Sequence, residues 1–186
     1  MQNFTKKEVD KVQFDEAVVF TNYGIEGKER LLGPNRGGGD FTATETIRDV
    51  EYDGRQGKTK GMQILESQDA VLKLTTLCSS QENLKLALPG ASMSEAGVIE
   101  SKEQGHFIED DDYLENVTCF AKLKDGTFKK ITIYNALHEA AMTFNMKPKT
   151  ENEHSLEFNA HYDAFDRTKK LYKIEDVESL PTSMQN

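Results

Sequence analysis

The sequence predicts a mainly β fold: an antiparallel β-sandwich or half-barrel with one short flanking α-helix and a long glycine-rich loop. Three observations predict it. Apolar and polar residues alternate with period two over most of the chain. Turn-forming residues, Asp125-Gly126 foremost, separate the alternating runs. Helical periodicity is confined to one stretch near residues 79–88. The runs amount to about eight to ten strands, enough for two layers or a partly closed barrel.

In chain order, "KVQFDEAVVF" (11–20) reads as the first strand. A glycine-rich excursion follows over roughly residues 22–40, and loops of that length in compact domains usually bind something or lack order. "FTATETIRDVEYD" (41–53) returns to strand character. "GMQILES" (61–67) and "DAVLKLTTLC" (69–78) read as two further strands, the second apolar on both faces and so covered on both sides. Ser79 with Glu82 three residues on forms a capping box, Leu84 and Leu88 share a face, and Pro89-Gly90 end the helix. Residues 89–112 form a poorly patterned connector.

Residues 112–137 are the plainest hairpin. Val117, Cys119, Ala121 and Leu123 share one face, and Ile131 and Ile133 continue on the return strand. A second hairpin is expected from "MTFNMKP" (142–148) and "SLEFNAHYDAF" (155–165). In its return strand Leu156, Phe158, Ala160 and Tyr162 face a core, while Glu157, Asn159, His161 and Asp163 face water or a partner. "KLYKIE" (170–175) reads as a last short strand. The reading is one domain over 1–178, with 179–186 as a flexible C-terminal tail.

The chain has 186 residues and a formal net charge of −9. That balance argues against a sequence-reading nucleic-acid binder, which carries a basic face. It also makes identical subunits repel unless specific contacts offset the repulsion. Cys78 and Cys119 stand at no metal-like spacing and read as reduced thiols. No signal peptide or membrane helix is expected.

The chemical motifs fail on inspection. Gly57-Lys58-Thr59 ends like a phosphate-binding loop, but Tyr52 stands where its leading glycine belongs, and a strand follows instead of a helix. "HEAAM" (138–142) begins like a zinc motif, but Met142 stands in place of the second histidine. "EDDDY" (109–113) lacks the alternating ligands and central glycine of a calcium loop. The sequons at Asn3 and Asn116 come without a secretion signal. No nucleophile motif is present. The expectation is a protein that is no enzyme and has no cofactor and no metal.

Taken together and in order, "GGGDFTATETIRDVEYDGRQGKTKG" (37–61), "LENVTCFAKLKDGTFKKITIYNAL" (114–137) and "SLEFNAHYDAFD" (155–166) resemble the tail tube, or major tail, proteins of long-tailed bacteriophages. The resemblance runs from about residue 10 to 175 and leaves 89–112 unmatched. It implies a β-sandwich with a flanking helix, assembled as hexameric rings that share a continuous inner barrel and stack into a tube for DNA ejection. It implies as partners further copies of the chain, a tape-measure protein, a tail tip or baseplate initiator and a tail terminator. DNA would pass through without specific binding, and no membrane is involved. The place implied is the virion tail, assembled in the bacterial host cytoplasm. The same fold serves tubes of contractile tails and of type VI secretion, so a contractile or secretion tube with a sheath partner is the first alternative. A small-ligand-binding or hydrolytic β-sandwich is an alternative of another class, and it requires a deep pocket with converging polar groups.

On this resemblance Gly37, Gly38, Gly39 and Asp40 are candidates for an arm reaching a neighbouring subunit. Arg55, Lys58 and Lys60 are candidates for pairing with its carboxylates. Asp49, Glu51 and Asp53, with Glu157 and Asp163 and the intervening Asn159 and His161, are candidates for the lumen face, where an acidic wall lets DNA slide.

Overall fold

The computed structural model describes residues 5–144, 146–166 and 168–181, with the backbone alone of residue 7 and of 13–16. Its strands are β1 (Gln13–Thr21), β2 (Arg30–Leu31), β3 (Asn35–Asp49), β4 (Gln63–Thr76), β5 (Ala91–Met93), β6 (Ile99–Ser101), β7 (Leu114–Leu123), β8 (Phe128–His138), β9 (His154–Ala160) and β10 (Tyr172–Val177). Its α-helices are α1 (Lys6–Asp10) and α2 (Gln81–Leu86). The main antiparallel sheet runs β2-β1-β7-β8-β9-β4-β3, with β10 beside β8. β5 and β6 form a separate small hairpin.

The sheet curls into the expected half-barrel. β3 begins against β1, where the Asn35 side-chain amide donates to the Ala17 carbonyl at 3.4 Å. The Phe41 and Tyr172 rings meet edge to face at 5.5 Å across the interior. Val19, Leu72, Leu74, Val117, Cys119, Ile133, Leu156 and Phe158 fill the core. One flank of β8 serves two partners. Residues 128–133 pair with β10 and 136–138 with β9. Asn135 makes the switch in the left-handed region at φ 46°, and its side-chain amide donates to the His161 carbonyl at 3.1 Å. Asparagine tolerates that conformation because its short amide bonds locally.

Several expectations change. The excursion expected over 22–40 ends at Pro34, because β3 already begins at Asn35. It is tied to its own body. Leu32 is fully buried. The amide of buried Asn83 donates to the carbonyls of Leu32 and Cys78 at 2.9 and 3.1 Å, and accepts from Arg30 at 2.6 Å. Asn116 exchanges two hydrogen bonds with the Tyr23 backbone, at 2.9 and 3.0 Å. The two strands expected over 61–67 and 69–78 are one continuous strand, β4, which runs from Gln63 to Thr76. The helix is shorter than 79–88 and is capped by Ser80, because the Ser79 hydroxyl is engaged with His154 Nε2 at 2.7 Å. A second helix, α1, is capped by Thr5 and Glu8. No strand forms over 142–148 among its described residues. β9 pairs with β8 and β4 instead. Within the expected connector 89–112 lies the β5–β6 hairpin. Part of the expected tail, residues 182–186, lies outside the described residues.

Candidate self-association surface

β4 has β9 at its side only from Val71 to Thr76, while β3 follows β4 out to Asp49 opposite Gln63. Residues 43–49 and 63–70 therefore stand as a two-stranded ribbon beyond the body. Among the described residues neither outer edge of this ribbon has a strand partner. A lone two-stranded hairpin is marginal in water, and open edges invite another chain.

The ribbon's exposed apolar side chains support the same conclusion. Ile47 and Leu65 face each other across the pair, 57% and 49% exposed. Ile64, opposite Arg48, is also exposed. Tyr52 and Met62 carry exposed apolar surface into the tip. Nothing in the described chain covers this surface, and clustered exposed apolar groups mark interaction sites.

The tip itself is ordered. Arg55 bonds Asp49 at 2.6 Å and the Gly57 carbonyl at 2.8 Å. The Gln63 amide and the Arg55 guanidinium hold Asp49 below the usual carboxylate range. The Tyr52 and Thr59 hydroxyls meet at 2.9 Å. Gly54 and Gly61 turn the chain at φ 84° and 86°, where other residues are strained. The G-K-T segment is thus a turn at the end of a hairpin, with no helix after it.

The candidate residues scatter. Gly37, Gly38 and Gly39 lie inside β3 at a register shift, and no Cβ fits easily at Gly39, where it would meet the Lys73 carbonyl oxygen at 3.1 Å. Asp40 sits opposite Lys73 and is exposed. Lys58 and Lys60 project from the tip, exposed and with no ion pair among the described residues. Arg55 is spent within the chain, on Asp49. Of the lumen candidates, Glu157 pairs with Lys73 at 2.9 Å and Asp163 with Lys169 at 2.5 Å. Asn159 and His161 are half-buried beside β8. Glu51 and Asp53 remain exposed near the tip. Reading the sequence missed Ile47, Ile64 and Leu65 as a surface. Alternation hides them, since they look like core residues until the length of β9 shows where the body ends.

A concavity of about 690 Å³ lies elsewhere, between the end of α2, the β5–β6 hairpin and residues 137–142. Its lining is mostly apolar: Ala87, Leu88, Ile99, Ile108, Leu137 and Met142 among others. His138 at its edge is buried, and its Nδ1 accepts from the Glu157 amide at 2.9 Å, which places the ring proton on Nε2. No cluster of three or more metal-ligating side chains occurs among the described residues. No described helix is long and apolar enough to cross a membrane.

No family model matches the chain, and no curated protein matches it. Solved structures do. The tail of an empty gene transfer agent particle, refined with C6 symmetry, is 8% identical, with 78% of this chain and 91% of that one covered at a TM-score of 0.40. The virion of a native gene transfer agent particle is 7% identical over 78% and 92%, at 0.39. An Hcp protein crystal structure is 8% identical over 88% and 99%, at 0.32.

Proposed function

We propose that the chain is a structural subunit that self-assembles into stacked hexameric rings forming a phage tail tube, a conduit for DNA ejection. The observation that carries this reading is the β3–β4 ribbon, open on both edges and carrying the exposed apolar side chains Ile47, Ile64 and Leu65. Ribbons set edge to edge around a ring complete one another's hydrogen bonding, and closure leaves no free edge. The subunit would then have no catalytic role. Its partners would be its own copies, a tape-measure protein, an initiator at the tip and a terminator. Its place would be the virion, after assembly in the host cytoplasm.

Glu51 and Asp53 are the lumen-facing residues this reading favours, because the other carboxylates proposed are spent on cations of their own subunit. A tube of a contractile or secretion apparatus fits the same ribbon and differs by a sheath. The ligand-binding alternative finds a concavity, but one whose lining is mostly apolar.

Negative-stain microscopy of the concentrated protein, alone and with its tape-measure and initiator proteins, tests the reading. Rings or tubes are expected. A strictly monomeric protein under all these conditions overturns it.

A further inference from the structure

β9 ends at Ala160, opposite Ala136 of β8. His161, the next residue, ties that end down. Its backbone amide donates to the Tyr134 carbonyl at 3.3 Å, and its carbonyl accepts from the Asn135 side-chain amide at 3.1 Å. Its ring reaches two further oxygens. Nδ1 lies 3.1 Å from the Asn135 carbonyl oxygen, and Nε2 lies 3.1 Å from a Glu139 carboxylate oxygen. At the same place β8 passes from β9 to β10, through the left-handed Asn135 at φ 46°. It is also the root of the ribbon, because β4 loses β9 at Val71, opposite Asn159, two residues short of His161.

Both ring contacts are to oxygens that only accept. A neutral imidazole carries one N–H, so in either tautomer a bare lone pair would face an oxygen. Only the charged ring, with an N–H on each nitrogen, donates to both. The other histidines keep their ring contacts while neutral. His138 Nδ1 accepts from a backbone amide, His154 Nε2 meets a hydroxyl that can donate, and His106 has one acceptor, Glu109, for one N–H. The ionisable groups around the His161 ring come from four directions. Glu139 follows β8. Tyr113 meets the ring edge to face at 5.3 Å, and Asp110 and Glu115 line a cleft with it. Tyr162 and Asp163 line that cleft from the loop after β9. On β4, Asp69 stands two residues past Val71, as His161 stands two past Asn159. Asp163 is paired with Lys169, and Glu115 lies 3.9 Å from Lys28. The side chain is 31% exposed, so its proton exchanges with water.

We infer that His161 is a proton-operated clasp at the root of the ribbon. Charged, it pins the end of β9 to both Asn135 and Glu139. Neutral, it gives up one of the two oxygens, and the strand end loosens where the ribbon leaves the body. Histidine changes charge between about pH 5 and 8, so the clasp works in that range. It is a property of the single subunit and stands apart from the self-assembly reading above.

Nitrogen spectra of the histidine rings and backbone amide exchange test it, both on the full chain as single subunits at about pH 5.5 and about pH 8. At the lower pH both His161 ring nitrogens should carry protons. The His161 backbone amide should then be protected about threefold more than at the higher pH, after correction for intrinsic exchange, which is the size of effect a part-exposed ion pair gives. His138 acts the other way, since its burial weakens the fold as pH falls, so it cannot imitate this result. Glu139→Gln supplies an amide that donates to the neutral ring and accepts from the charged one. That variant should show equal protection at both pH values. A singly protonated His161 ring at the lower pH, protection that does not rise toward acid, or a rise that Glu139→Gln leaves intact overturns the clasp.

Discussion

His138 and Cys119 show what burial does to single side chains in this fold. A histidine in an unfolded chain takes up a proton near pH 6.5. Burial lowers that value for His138, against the weaker help of nearby backbone groups. The unfolded state therefore binds more protons as pH falls through about 6.5, and stability declines until the lower folded value is passed. The urea midpoint should fall between pH 7 and pH 5, and His138→Gln should flatten that fall. An equal slope in both proteins would remove His138 as the cause. Cys119 is pushed up to about 11 by burial alone, so the reactive thiolate is scarce at neutral pH. Thiol reagents at pH 8 should modify it only as the protein unfolds; a fast labelling phase in the native wild-type protein that Cys119→Ser removes would contradict this. The burial of Cys119 was legible in "VTCFAKL" from alternation. The burial of Asn83 and Asn116 was not, because each is polar and owes its place to carbonyls and amides distant in sequence.

Strand identity was largely legible, and strand partnership was not. The 112–137 hairpin was legible from its Asp-Gly turn and its alternating faces. The expected 142–148 strand fails because β9 finds β8 and β4, and no sequence period says which neighbour a strand will take. The ribbon was hidden for the same reason: its residues alternate as core strands do, and its exposure follows from where β9 ends. Phe158 in β9 sits at the ribbon's root, 1% exposed. Phe158→Ala should cost about 3–5 kcal/mol, read as a lowered urea midpoint, since it removes a buried ring and leaves a cavity. Ile64→Asn with Leu65→Asn, out on the ribbon, should change stability by less than about 1 kcal/mol yet abolish assembly. Assembly unchanged in that variant would mean the exposed ribbon is not the contact.

The whole molecule carries a formal charge of −9, distributed against its own tip. Two opposing electrostatic effects then act on association. Copies repel as a whole, and salt weakens that repulsion. The cationic tip of one copy attracts the acidic remainder of another, and salt weakens that too. The screening length is about 30 Å at 0.01 M ionic strength and about 8 Å at 0.15 M. Long-range repulsion is thus screened first, while the short-range tip contacts survive to higher salt. Tube formation by the wild-type chain, followed by light scattering, should rise from low ionic strength, pass a maximum and fall. The Lys58→Glu, Lys60→Glu chain has lost the attraction and added repulsion, so any residual association should rise with salt throughout, driven by the apolar ribbon. A wild-type curve that rises without a maximum would mean that apolar contact alone holds the copies together. A curve that falls from the lowest salt would mean that the attraction outweighs the net charge even at long range, and that the tip cations govern encounter as well as docking.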